Sequence, residues 1–83
     1  MTELSLTNLP DLSQVTRLEI MVVLWNVHIT ATQGTEIFNW DFENYKGFDF
    51  AIELCRRLVL LGFKVTETPR ISIVVGFVAE RSL

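Results

Sequence analysis

Residues suited to acid–base or metal chemistry are scarce in this chain. It contains a single histidine, His28, and a single cysteine, Cys55, whereas a structural zinc site takes about four Cys or His ligands. His28 falls on the polar side of a predicted strand, which favours a solvated or hydrogen-bonded role. Cys55 falls on the apolar stripe of a predicted helix, where cysteine usually acts as a small buried hydrophobe. We therefore predict no catalytic residue, no metal site and no cofactor, and expect that the chain is not an enzyme.

An acidic segment over residues 41–49 has some of the oxygen ligands of a calcium loop but not its pattern. Its glycine, Gly47, comes one place late for an EF-hand, and no glutamate closes the loop. Aromatic side chains also stand between the candidate ligands. The segment is predicted to be a solvated connection in which Asp49 caps the following helix.

Aromatic side chains alternate along one predicted strand at Phe38, Trp40 and Phe42. Such rings can stack bases when basic side chains lie beside them, but the neighbours here are acidic, so we predict that they lie in the core under the helices. A net charge of -3 and a pI near 4.9 also disfavour phosphate binding. A small nucleic-acid-contacting regulator is the alternative function. Its contacts would come from sparse basic positions, His28, Lys64, Arg70 and Arg81.

A possible internal duplication suggests the elements that position these residues. At an offset of 36 residues, side chains of the first half recur identically in the second: Leu18, Val23, Leu24, Thr30, Thr32 and Ile37 match Leu54, Val59, Leu60, Thr66, Thr68 and Ile73. In the second copy, an apolar stripe predicts a helix over residues 50–61. Asp49 is the expected N-cap, and Gly62 is the expected left-handed residue at the helix end.

The first copy carries similar punctuation, with Ser13 at the N-cap position and Asn26 at the helix end. This predicts a helix over residues 11–25. The alternative is a strand through residues 18–30, which the many β-branched residues favour. Such a strand would be unusually long and would switch its apolar face midway, so the helix is preferred.

Short alternating strands are predicted after each helix, over residues 27–32 and 63–67, and turn residues then lead into second strands over residues 35–43 and 71–80. The predicted fold class is α+β with the order αββαββ: a four-stranded antiparallel sheet, in the strand order 2-1-3-4, with both helices on one face. The second and fourth strands would form its edges. We predict one domain over residues 1–83, divided into an N-terminal extension (1–10), a first αββ unit (11–47) and a second αββ unit (48–83).

Hydrophobic residues make up 49% of the chain and charged residues 20%, which is more apolar than expected for so small a domain. Some apolar surface should therefore meet a partner. The predicted edge strand carries no charge over residues 71–79, and an uncharged edge aggregates unless something pairs with it. We predict a small protein–protein interaction module acting through a sheet edge or face. Its partner-binding residues would be Ile71, Ile73, Val74, Val75 and Val78.

The two faces of that strand should differ. Ile71, Ile73 and Val75 are expected to turn inward, whereas Val74 and Val78 remain on the far side of the sheet. The module would then work as a homodimer or as a subunit of a complex. A third possibility is a self-contained monomer in which an N-terminal segment covers the two far-side valines, through Leu4, Leu6 and Leu9.

Targeting signals are not evident in the sequence. The longest apolar run, over residues 20–25, is far shorter than the roughly 20 residues that span a bilayer. Residues 1–10 carry no apolar stretch typical of a secretory signal, and the single cysteine cannot form an internal disulfide. We expect a cytoplasmic protein whose partner is another protein or a second copy of itself, without a membrane or a small-molecule substrate.

Overall fold

The computed structural model describes residues 4–69 and 71–83. Within them, the chain forms a five-stranded sheet and a single α-helix. In chain order the elements are β1 Arg17–Val23, β2 Asn26–Gln33, β3 Glu36–Glu43, α1 Gly47–Leu60, β4 Lys64–Glu67 and β5 Val74–Glu80. The strands lie in the order β3-β2-β1-β5-β4, and all neighbours are antiparallel. The predicted four-stranded sheet with two helices is therefore wrong.

Strand β1 occupies the region predicted to be the first helix. Its side chains alternate, with Leu18, Ile20 and Val22 buried and Glu19 and Met21 exposed between them. This is the two-residue period of a strand rather than the 3.6-residue period of a helix. The predicted helix over residues 11–25 is therefore wrong, and the β-branched content of this region was the better guide.

A tight turn explains how a strand fits here. Val23 pairs with Asn26, so Leu24 and Trp25 form a two-residue hairpin turn between β1 and β2. The turn divides the long apolar run into strands of 7 and 8 residues, which removes the length objection to a strand. Asn26, predicted to end a helix, instead begins β2.

Helix α1 confirms the helix predicted over residues 50–61, and its end is as expected. Gly62 has a φ of 96°, in the left-handed region that glycine adopts without strain. The backbone N–H groups of Gly62 and Phe63 donate to the carbonyl oxygens of Val59 and Leu58, each at 3.0 Å. These two bonds form a Schellman motif, which stops the helix and directs the chain into β4.

The start of α1 differs from the prediction. The helix begins at Gly47, and Asp49 lies in its first turn without making a side-chain capping bond. A Cβ atom at Gly47 would lie 3.1 Å from a methyl carbon of Val27 and 3.2 Å from one of Val22. The absent side chain therefore lets the start of the helix approach the β1–β2 hairpin closely.

The helix crosses from one edge strand, β3, to the other, β4, and packs on one face of the sheet. The N-terminal segment lies on the same face, because Leu4, Leu12 and Val15 are buried in the same core cluster. Arg57 of α1 also donates to the carbonyl oxygen of Leu6 at 3.0 Å. The segment predicted to be an extension is thus part of the core, and it covers the face that we call the helix face.

The sheet order corrects the predicted edges. The strand predicted over residues 35–43 is confirmed as an edge, β3, but the strand predicted over residues 71–80 is not. Ala79 of β5 pairs with Leu18 of β1 on one side and with Val65 of β4 on the other. Residues 17–43 form three strands rather than a helix and two strands, so the predicted first αββ unit is wrong.

The opposite face, which we call the open face, has no other described element packed on it. Many of its side chains are polar, and Arg17 forms ion pairs with Glu19 at 2.8 Å and Glu80 at 3.0 Å. Among residues 4–69 and 71–83, no helix combines the length and the apolar character needed to cross a membrane.

Candidate interaction surfaces

The predicted partner-binding residues do not lie on a single surface. Ile71 and Ile73, predicted to turn inward, are exposed in the turn before β5. Val74 and Val78 lie half-buried on the open face, as their pairing with Val23 and Glu19 requires. Val75 pairs with Val22 and packs against the core on the helix face. The structure therefore separates this set into exposed, open-face and helix-face members.

The exposed members belong to a larger cluster at one end of the sheet. Three connections meet there: the β1–β2 turn, the β3–α1 loop and the turn before β5. The backbone N–H of Asn44 donates to the carbonyl oxygen of Trp25 at 2.7 Å, and Val74, which follows the last turn, pairs with Val23 beside the hairpin. We call this surface the apolar end, and its exposed side chains are Leu24, Trp25, Tyr45, Phe48, Ile71 and Ile73.

The apolar side chains of this surface are exposed to a large extent. The exposed fractions reach 67% for Trp25, 80% for Tyr45 and 73% for Ile71. Single exposed apolar residues are ordinary on protein surfaces, whereas a contiguous group marks an interaction site or an aggregation hazard. Trp and Tyr are also among the residues that dominate the binding energy of protein interfaces.

Backbone strain is held at the same end. Leu24 has a φ of 55° and Ser72 a φ of 56°, and no other described non-glycine residue has a positive φ. Each is the first central residue of its turn, a position where glycine is usual in tight hairpins. An L-residue in this conformation costs about 1–2 kcal/mol. Two strained turns therefore present the apolar side chains Leu24, Trp25, Ile71 and Ile73.

Histidine 28 lies on the open face, as predicted for a strand residue with a polar environment. Its Nδ1 contacts a carboxylate oxygen of Asp41 on β3, and both side chains are about half exposed. Beside this pair, the hydroxyl of Thr30 donates to Asn39 at 3.0 Å. In the described part of the chain, no group of three or more side chains could hold a metal ion. The pair and the Thr30–Asn39 hydrogen bond join β2 to β3 across the open face.

Two basic residues of the nucleic-acid alternative, Lys64 and Arg81, line one pocket, while His28 lies apart from them. His28 lies on β2 next to the β3 edge, and Lys64 lies on the opposite edge strand, where it pairs in register with Glu80. Arg81 is engaged with backbone carbonyl groups of its own chain. Arg70 lies outside the described residues. The structure therefore brings together Lys64 and Arg81 but not His28, and the carboxylate of Glu80 lines the same pocket.

Cysteine 55 lies in the core, as predicted. Burial raises the pKa of its thiol to about 11, since a buried environment disfavours the charged thiolate. The nearby Arg56 is exposed and pairs with Glu53 at 3.3 Å instead. A neutral, unreactive thiol is what this environment produces.

Sequence reasoning missed four members of the apolar end, Leu24, Trp25, Tyr45 and Phe48. The first two were assigned to a helix, so their position at the tip of a hairpin was not considered. The usable signal was the place where the apolar alternation changes phase, after Val23, because a phase change in a strand pattern indicates a turn. No protein-family model, curated protein or solved structure matches this chain.

Proposed function

We propose that this chain is a small cytoplasmic protein–protein interaction module, working as an adaptor, an inhibitor or an assembly factor. It acts as a homodimer or as a subunit of a complex, and its principal contact surface is the apolar end. The single observation that carries the proposal is the exposure of Trp25, Leu24, Tyr45 and Ile71 on connections that meet at one end of the sheet. Tryptophan and tyrosine are enriched among the few residues that carry most of the affinity of protein interfaces.

The strained turns support the same proposal. A conformation that costs free energy persists where the surrounding structure enforces it, and such residues cluster at binding sites. Glycine at Leu24 or Ser72 would relieve the strain, but glycine at Leu24 would also remove an apolar contact. The turn at Leu24 thus exposes an apolar side chain at a cost to the stability of the isolated chain.

The other two functions have less support. A nucleic-acid regulator would need free cations, and the donors of Arg81 already serve its own fold. The self-contained monomer required the N-terminal leucines to cover Val74 and Val78, yet Leu4 is buried on the helix face, whereas the two valines lie on the open face. Truncating the N-terminal segment would therefore remove core packing in any case, and it does not separate these functions.

The test compares two serine variants, one at a tryptophan of the apolar end and one at a leucine outside it. Trp25→Ser removes the largest side chain of the apolar end. Leu60→Ser is the matched control, because Leu60 is 86% exposed but lies at the far end of α1. Self-association is measured by sedimentation velocity over a range of concentrations, and capture of a partner from the native lysate by pull-down with mass spectrometry.

We expect the wild type and Leu60→Ser to associate alike and Trp25→Ser to weaken the association by about 2 kcal/mol, or about 30-fold. Equal association by both variants would contradict the role of the apolar end. A wild type that stays monomeric and captures nothing would contradict the interaction module itself.

A further inference from the structure

The edge strand β3 has a backbone that is free to pair. Gln33 and Glu36 close the two-residue β2–β3 turn, so their backbone groups bond to each other, and every second residue after Glu36 bonds to β2. The intervening residues then direct their N–H and C=O groups away from the sheet. These residues are Ile37, Asn39, Asp41 and Glu43. No other strand of the described chain pairs with this side of β3.

A small apolar pocket lies beside this edge on the helix face. It has a volume of about 120 Å³ and lies between Leu12 and Val15 of the N-terminal segment and Phe38 and Trp40 of β3. Phe38 is 39% exposed, so the core does not close over it. A cavity of about 150 Å³ accommodates benzene, and this pocket therefore has room for one aliphatic side chain.

The charged side chains of β3 are all acidic. β3 carries Glu36, Asp41 and Glu43, all exposed, and neither lysine nor arginine. Asp11 lines the pocket, and the backbone N–H of Ser13 donates to its carboxylate at 2.9 Å. This hydrogen bond lowers the pKa of Asp11, which keeps the group ionised at neutral pH. The only basic group in contact with these β3 carboxylates among the described ion pairs is His28, beside Asp41.

We propose that the β3 edge and this pocket bind an extended segment of another protein in which apolar and basic residues alternate. The segment adds a sixth strand, with its backbone bonded to the outward-facing groups of Ile37, Asn39, Asp41 and Glu43. One apolar side chain enters the pocket beside Phe38 and Trp40, and lysine or arginine side chains on the other face lie next to Asp41 and Glu43. Strand addition gains affinity from the backbone bonds and specificity from such alternate positions.

The acidic charge argues against a second copy as the occupant. Pairing β3 with β3 would bring the carboxylates of Glu36, Asp41 and Glu43 from both chains to one seam, where like charges repel. A basic segment turns the same charges into attraction. The pocket lies toward the β2–β3 turn, away from the apolar end that Glu43 adjoins, so this proposal extends the proposed function without depending on Trp25.

The test uses two fluorescein-labelled peptides of the length of β3, one alternating valine with lysine and one alternating valine with glutamate. Binding is measured by fluorescence anisotropy at low and at physiological salt. We expect the valine–lysine peptide to bind the full-length chain and the valine–glutamate peptide to bind about tenfold more weakly or not at all. The preference should shrink as salt increases. Failure of the valine–lysine peptide to bind, or equal binding of both peptides, overturns the proposal.

A pair of variants tests the backbone pairing. Asn39→Pro removes an N–H that points out of the sheet, so the bonds between β2 and β3 are kept, whereas Asn39→Ala changes only the side chain. Relative to Asn39→Ala, we expect Asn39→Pro to lose about tenfold in affinity for the valine–lysine peptide. Equal affinity for the two variants overturns the proposal, as does a wild-type dimer that Asn39→Pro converts to monomer, since the occupant is then a second copy.

Two further variants keep the outcome decisive. If circular dichroism shows that Asn39→Pro does not fold, Glu43→Lys replaces it and should reduce the preference for the basic peptide about fivefold; an unchanged preference overturns the proposal. Trp25→Ser should bind the peptide like the wild type. Loss of peptide binding in Trp25→Ser would place the peptide at the apolar end and overturn the β3 site, while leaving the proposed function intact.

Discussion

Replacing Arg81 with alanine should destabilise this fold strongly, because its side chain joins three parts of the chain. Its guanidinium donates to the carbonyl oxygen of Val15 at 2.9 Å, to that of Leu61 at 2.8 Å and to that of Leu12. It also stacks over the ring of Phe63, 4.2 Å from the ring centre. The N-terminal segment, the end of α1 and the end of β5 therefore meet at this single side chain.

The expected loss follows from these contacts. The bonds to Val15 and Leu12 are partly buried, and each is worth about 1 kcal/mol, while the bond to Leu61 is exposed and contributes little. The stacking on Phe63 adds about 1 kcal/mol. Arg81→Ala should therefore lower the free energy of unfolding by about 3 kcal/mol, which corresponds to a fall in Tm of about 12–24 °C for a domain of this size.

Urea unfolding followed by tryptophan fluorescence measures this loss, with Arg81→Lys and Arg56→Ala as companions. Lysine cannot stack or form several bonds in a plane, so Arg81→Lys should still lose about 2 kcal/mol. Arg56 is a matched arginine whose side chain is 74% exposed in an ion pair with Glu53, and its replacement should cost less than about 0.5 kcal/mol. A loss for Arg81→Ala as small as that for Arg56→Ala would refute the joining role and return Arg81 to the list of cations free to bind nucleic acid.

Further predictions concern the turn, the thiol and the core. Gly34 has a φ of 61° with no atom within 4 Å of an added Cβ, so Gly34→Ala should cost about 1 kcal/mol of stability through backbone strain alone; an unchanged urea midpoint would contradict this. At neutral pH, the thiolate fraction of Cys55 should be about 100-fold below that of an ordinary thiol, given its pKa of about 11, and slow alkylation by iodoacetamide checks it against the urea-unfolded chain. Because its pKa is raised in the fold, the neutral thiol contributes stability below about pH 9 that is lost as the pH rises toward 11, and Cys55→Ala should reduce this alkaline loss. Leu58 is fully buried, and Leu58→Ala should cost about 3 kcal/mol in the same urea assay.

Local signals predicted the elements after residue 26 well. The apolar stripe and Gly62 gave the body and end of α1, because a Schellman ending depends on residues that are adjacent in sequence. The strands near residues 27–32, 35–43, 63–67 and 71–80 were also found from their alternation, with shifts at their ends. These elements depend on nearby side chains, which a sequence displays directly.

The prediction of a helix over residues 11–25 failed because two patterns fitted the same residues. Ser13 and Asn26 matched the caps of a helix, yet Ser13 donates its backbone N–H to Asp11 in a bend and Asn26 starts a strand. The deciding feature was the turn at Leu24 and Trp25, which uses a left-handed leucine where the usual signal is glycine or asparagine. A turn of this kind is stabilised by the strands on each side of it, so it cannot be predicted from its own residues.

The uncharged strand over residues 71–79 carries the more general lesson. The absence of charge predicts an edge that needs a partner, but an interior strand needs no charge either, since its backbone is already paired. The structure places residues 77–80 between β1 and β4 and gives the edges to β3, with its carboxylates, and to the short β4, with Lys64 and Glu67. Charge on an edge strand prevents pairing with identical chains. The carboxylates of β3 leave that edge open to a basic strand while they repel a second copy, and for that reason the charge of the peptide, more than its apolar content, should decide what binds there.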